Sequence, residues 1–261
     1  MNVMRPLYSY LEKMFAIFQL EVKKLRHEPS ELLMRAVQPV LWLLVFGGVM
    51  AQARVIPTGG DYLDFLTPGI LAQSVLFVSI FFGISLIWEK DMGIVQKFLT
   101  SPAPRTAMIA GRALSAGVRG LSQAVIIYFV AIMMGVNLRL DPLSVSAVII
   151  VVVLGAVFFS SLSMFIACIV HTRERFMGIG QLLTMPLFFA SNAIYPIALM
   201  PEWLKWMAQV NPLTYMVDAM RGCMVVSGSS EFGIVTDLGI LFVSSIVMIL
   251  VAGKLFHRVV L

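Results

Sequence analysis

Long apolar runs alternate with short charged connectors along this chain, and that alternation limits its fold more than any single motif in it. A helix needs about 20 apolar residues to cross the hydrocarbon core of a bilayer, and six runs approach or exceed that length. They are Leu32–Met50, Leu63–Trp88, Ala113–Gly135, Leu143–Val170, Phe176–Pro196 and Ile234–Phe256. Backbone groups have no water to bond inside a bilayer, so such runs fold as helices that satisfy themselves. Pro39 in the first run and Pro186 in the fifth each remove an amide donor, and both mark expected bends. Composition agrees, because 59% apolar and 13% charged residues leave too little charge to clothe a water-soluble globule. The expected fold class is an all-α membrane protein with six transmembrane helices.

The placement of positive charge sets the expected orientation. Of the 19 Lys and Arg residues, 15 fall in the N-terminal region, the second-to-third and fourth-to-fifth connectors and the C-terminal tail. Arg54, Arg139, Lys205 and Arg221 fall in the others. Such an excess in alternate connectors is the positive-inside pattern, so both termini are expected in the cytoplasm. It also accounts for the net charge of +5 without any nucleic-acid partner. The opening MNVMRPLYSYLEK has neither an apolar core behind its first basic residue nor a small-residue cleavage site, so no removable leader is expected.

Before the first run, Tyr8, Leu11, Phe15, Phe18, Val22 and Leu25 recur at steps of three and four. Glu12, Lys13, Glu21, Lys23, Lys24 and Arg26 lie on the remaining faces. Residues 1–28 therefore read as an amphipathic helix too charged to cross, lying in the lipid interface or against the spans. Residues 29–261 form the six-span domain.

Two connectors carry more information than turns would. The first runs from Glu89 to Arg112, where Ile94, Val95, Phe98 and Leu99 fall on one side of a helix and Lys90, Asp91 and Lys97 lie off it. Ser101-Pro102-Ala103-Pro104 stops that helix. The second is Ile197 to Ser230, too long for a turn and too apolar for a free loop. Pro201-Glu202-Trp203 opens one short helix there, and Asn211-Pro212 opens another as cap and first residue. Leu213, Met216, Val217 and Met220 share a face of the latter, so it is expected to dip into the outer leaflet as a re-entrant segment. Asp218 and Arg221, three apart, are expected to form an exposed pair of little energetic weight.

No catalytic set or metal spacing emerges from the residues. His27, His171 and His257 are scattered, and Cys168 and Cys223 lie at different expected depths and read as packing residues. All 14 acidic residues fall in connectors or at span edges, so no buried acid is expected for an ion relay. Mild polar residues do enter the spans: Gln38, Gln73, Gln123, Gln181 and Asn192. Of these, Gln73, Gln181 and Asn192 are the candidate path-lining residues, though each also suits a bond between helices. No phosphate-binding loop of the G-x-x-x-x-G-K-[ST] type occurs, so this chain is expected to bind no nucleotide and to be no enzyme.

Glu89, Gly93, Pro102 and Gly111-Arg112 after the second span, and Asn211, Pro212, Tyr215 and Arg221 before the last, together resemble the permease subunit of type-2 ATP-binding-cassette exporters. Ile94 departs from that pattern, since threonine is common there. The resemblance covers nearly the whole length and leans toward the drug-resistance branch. It implies a multi-pass subunit of the inner (cytoplasmic) membrane, in contact with lipid, that works as a homodimer with a separate ATPase holding ATP and Mg. Glu89, Lys90, Asp91, Gly93, Ile94, Val95, Lys97, Phe98 and Leu99 would then form the coupling helix seated on that ATPase. Asn211, Pro212, Tyr215, Asp218 and Arg221 would form an outer gate. An amphipathic drug, lipid or glycan would leave the cytoplasm or inner leaflet between the two copies. A passive channel or a scaffold for another membrane complex is the alternative.

Overall fold

The apolar runs fold as helices laid side by side. The computed structural model describes residues 4–27, 29–53, 61–95, 104–170 and 172–256. Its helices are α1 (Met4–His27), α2 (Pro29–Leu41), α3 (Gly48–Ala53), α4 (Tyr62–Phe82), α5 (Ile84–Asp91) and α6 (Arg105–Met133). They continue as α7 (Pro142–Ile169), α8 (Arg173–Phe189), α9 (Glu202–Val210), α10 (Pro212–Met224) and α11 (Ile234–Leu255). A wide π-helical turn, Trp42–Gly47, follows Pro39 and joins α2 to α3. Among the described residues the only strand-like pairing is an isolated bridge between Leu138 and Val225.

Five stretches are long and apolar enough to cross a membrane: Leu32–Ala53, Tyr62–Asp91, Arg105–Met133, Pro142–Ile169 and Ile234–Leu255. The fifth expected crossing, Phe176–Pro196, is not among them. Its helix α8 has 17 residues, or about 25 Å at the usual rise, short of a hydrocarbon core of about 30 Å. The reason is local, because the Asn211 amide takes its last carbonyls, donating to Leu187 O at 2.7 Å and Ala190 O at 3.3 Å. Beyond that the chain turns through Ala190–Tyr195 and folds back into α9 and α10.

α4 is the hub. It is apolar on every side, as a fully surrounded helix must be, and it packs against α2, α6, α7, α8 and α10. A break at Gly83 separates it from α5, and Ser163 of α7 fills the break by accepting from Gly83 N at 3.0 Å and donating to Ile80 O. A Cβ at residue 83 would lie 2.0 Å from that hydroxyl, so the junction requires glycine. The two cysteines, Cys168 and Cys223, are buried and free, as packing residues would be.

Gly69 plays the same part nearer the start of α4. A Cβ there would lie 2.4 Å from Ala193 O and 2.7 Å from Ala193 Cα, and backbone cannot swing aside as a side chain can. Gly69→Ala is expected to lower stability by about 1–3 kcal/mol through overpacking. A thermal melt of the purified variant checks this. An unchanged midpoint would mean that the 190–195 turn is not held against α4.

The bundle has two distinguishable ends. At the basic end, the last turn of α5 meets the start of α8 through Asp91 and Arg173 at 2.7 Å, and Gly253 of α11 lies against Thr106 of α6. At the opposite end, Asp64 of α4 accepts from Asn137 N at 3.1 Å and Ser227 Oγ at 3.2 Å. Arg139 donates to Gly222 O and Val226 O, both at 3.1 Å, so the α6–α7 turn and the segment after α10 are clasped together.

Candidate functional site

At the basic end the helix expected over Glu89 to Leu99 is interrupted at Gly93, and only its part up to Val95 lies within the described residues. Glu89, Lys90 and Asp91 belong to the last turn of α5 and continue the second crossing; they are not the first turn of a separate loop helix. The helix stops at Met92, and Gly93 turns the chain with a φ of +71° before Ile94 and Val95. Val95 is buried among Leu86, Ile87, Met108 and Ile109, so it is committed to this chain's own core. Ile94 is half-buried, while Lys97, Phe98 and Leu99, with Pro102, lie outside the described residues.

Glu89 itself points inward and is 5% exposed. It accepts from Arg112 of α6 and from Lys24 of α1, the latter at 2.7 Å. Lys24 also bonds Glu21 at 3.2 Å, and Arg112 lies 3.7 Å from Glu21. Four charges that sum to zero thus join three helices: the N-terminal helix, the end of the second crossing and the start of the third. Buried charges persist only when paired and hydrogen-bonded, and here each acid has two cationic neighbours.

Glu21, placed by periodicity on the polar side of α1, is 2% exposed and is the centre of its packing face. That face runs through Met14, Ile17, Glu21 and Leu25, whereas Tyr8, Leu11 and Phe15 are exposed. Gly111 makes the approach possible, since a Cβ there would come within 2.5 Å of Met14 O. The signal was present in the sequence: Met14, Ile17, Glu21 and Leu25 are spaced 3, 4 and 4 apart. Only the identity of the third hid it.

At the opposite end, Asn211 and Pro212 act as expected, with Asn211 Oδ1 accepting from Leu213 N at 3.0 Å and proline in the first helical position. The Tyr215 hydroxyl donates to Gln209 O at 2.5 Å. Burial, with the Asp237 carboxylate nearby, pushes that phenol above its ordinary value, so it serves as a donor at neutral pH.

Asp218 and Arg221 are not the exposed pair that their spacing suggested. Asp218 is fully buried and accepts from Ser230 Oγ at 2.8 Å and Phe232 N at 3.0 Å. Arg221, also buried, donates to Asn192 O at 2.6 Å and packs over the Phe65 ring at 3.9 Å. The Asn192 amide satisfies its surroundings by donating to Thr214 O at 3.2 Å and accepting from Arg221 Nη1 at 3.3 Å. Ser230 lies between Asp218 and Asp237, 3.0 Å from the latter, and its one proton can serve only one of them at a time.

Of the three candidate path residues, Asn192 therefore belongs to this far-end cluster. Gln73 is buried in α4, where both atoms of its amide lack a partner, and Gln181 is exposed on α8. The structure does not bring the three together. The expectation that no acid is buried is also overturned, because Glu21, Asp64, Glu89, Asp218 and Asp237 all are. Each lies within a turn or two of a helix end. There, loop backbone and basic side chains can reach a carboxylate that hydropathy alone would leave outside. No group of residues suited to hold a metal ion occurs among the described residues.

Comparison with known proteins adds the missing frame. A family profile described as ABC-2 type transporter matches residues 12–225. The chain is 27% identical over 219 residues to the transport permease ycf38 of Cyanophora paradoxa, covering 82% of this chain and 74% of that protein. It is 25% identical over 237 residues to the daunorubicin resistance ABC transporter permease protein DrrB1 of Streptomyces coeruleorubidus, covering 89% and 80%. It is likewise 25% identical over 228 residues to the inner membrane transport permease YadH of Escherichia coli K12, covering 84% of each.

Proposed function

This chain belongs to the ABC-2 type transporter family, and from that premise we propose that it is the membrane subunit of an ATP-driven exporter. The basic end faces the cytoplasm and carries both termini. A separate ATPase, holding ATP and Mg, docks there against the connector between α5 and α6. Two copies of this chain enclose the route, and an amphipathic substrate moves between them from the cytoplasm or inner leaflet to the outside. A drug-like substrate is favoured by the relative named for daunorubicin resistance.

The observation that carries this reading is the charge quartet of Lys24 with buried Glu21, Glu89 and Arg112. It ties α1 and the ends of the second and third crossings into one corner, so a push on the connector moves three helices as a body. α8 completes a sixth crossing together with its capped turn, and α9 and α10 cover the outer end of the route. Exposed Gln38 on α2 and Gln181 on α8 suit a second copy better than lipid tails.

The test is reconstitution of the full chain with a separate ATP-binding-cassette ATPase. Expected are ATP hydrolysis that rises with hydrophobic drugs and drug movement that needs ATP. Purified chain that conducts or releases solute with no ATPase present would overturn the exporter reading and select the channel.

A further inference from the structure

We propose that α9 lies flat in the headgroup layer of the membrane at the end of the bundle opposite the basic end, with its tryptophan face set against lipid. At about 100° per residue, its nine residues divide into three sectors. Half-buried Leu204 and fully buried Ala208 form the sector that meets the protein, where α9 packs on α10. Glu202, Lys205 and Gln209 form the second, with Glu202 and Lys205 paired at 2.9 Å. Trp203, Trp206, Met207 and Val210 form the third, and they are 65%, 70%, 47% and 81% exposed.

The large apolar side chains of α9 thus stand on a face that the chain leaves uncovered, while small Ala208 is the one buried. A helix laid over the bundle under water does the reverse and turns its apolar stripe to the core. Protein on one face, water on the second and an apolar medium on the third are the surroundings of a helix in the plane of a membrane surface. Lipid is the occupant that the chemistry and size of the face favour. An indole ring is apolar with a single N–H donor, which suits the boundary between acyl chains and headgroups. A helix of nine residues is about 13 Å long. One face of it is too small to supply the roughly 800 Å² per partner of a specific protein interface, and exposed Glu202 and Gln209 border it with polar groups. Height agrees. α8 leaves the basic end at Arg173 and rises about 25 Å, which ends within about 5 Å of the far edge of a hydrocarbon core of about 30 Å. The turn into α9 therefore begins at the headgroup layer.

The inference requires only that the chain cross a bilayer, so it is tested without nucleotide and stands or falls apart from the transport reading. The chain's tryptophans are Trp42, Trp88, Trp203 and Trp206, so the variant Trp42→Phe, Trp88→Phe leaves α9 as the sole source of indole emission. The full-length variant would be placed in lipid nanodiscs whose phosphatidylcholine carries bromine either near the glycerol end of its acyl chains or near their middle. Iodide would serve as the quencher from water. Emission is expected to fall about twofold more with the shallow bromine than with the deep one, as for rings at the headgroup level, and to respond weakly to iodide. Stronger quenching by iodide than by either bromine puts the face in water and overturns the proposal. Stronger quenching by the deep bromine overturns it by placing α9 in the hydrocarbon. Insensitivity to all three overturns it by showing protein, such as a second copy, over the stripe. If the double variant does not fold, the share of wild-type emission lost in Trp203→Phe, Trp206→Phe supplies the same three readings.

Discussion

Glu89→Ala is expected to lower folding stability by about 3–5 kcal/mol, the usual loss when one member of a buried ion pair is removed. The asymmetry of the quartet makes the prediction specific. Arg112 is more deeply buried than Glu89, with a side chain 3% exposed against 7%, so losing the Glu89 carboxylate leaves it Glu21 at 3.7 Å as a more distant counter-charge. Lys24, by contrast, has a side chain 47% exposed and can turn into water. Lys24→Ala should therefore fall well short of Glu89→Ala, because solvent screens an exposed ammonium. The double variant Glu89→Leu, Arg112→Leu is expected to recover most of the loss, since an apolar pair of similar size fills the site without desolvating charge. It should still couple poorly to ATP hydrolysis if the corner transmits force. Denaturation of the purified proteins supplies the stability order, and a Glu89→Ala variant as stable as wild type would show that the quartet is not a structural joint.

Asp218→Ala carries the second largest expected effect, about 2–4 kcal/mol, for a different reason. Here the carboxylate takes donors from a loop, and its loss leaves the Phe232 N–H without that acceptor, hands the Ser230 hydroxyl to Asp237 and removes a counter-charge of buried Arg221. Asp218→Asn keeps the shape and one acceptor, so it is expected to lose about half as much. If the cluster closes the outer end of the route, Asp218→Ala should also raise the leak of small solutes through the reconstituted protein. Equal stability of Asp218→Ala and wild type in a thermal melt would remove the cluster from any structural account of that end.

The helices were legible because the bilayer demands a long apolar run for every crossing, and such runs leave little choice of fold. Four of the six expected crossings coincide with observed helices to within a few residues, and the third, Arg105–Met133, starts eight residues early because Arg105 and Arg112 are accommodated at its basic end. The N-terminal amphipathic helix and the cap at Asn211 were legible for the same reason, since both rest on local spacing. The interruption of the helix at Gly93 was not. Periodicity joined Glu89 to Leu99 across Gly93, and it had no means of knowing that residue 93 would take a left-handed backbone angle. Nor does spacing separate a surface acid from one that meets a partner 65 positions away, as Glu89 meets Lys24.

From sequence alone came the membrane class, the number of apolar runs, the side on which positive charge gathers and the likeness to ATP-binding-cassette permeases. Each follows from a one-dimensional quantity: run length, charge count or motif order. Only the tertiary structure decided which charges are buried, that α8 stops short at the Asn211 amide, and that Glu21 is the keystone of the basic end. The physical reason is that a carboxylate's free energy depends on what surrounds it. Its neighbours here come from helices far apart in the chain.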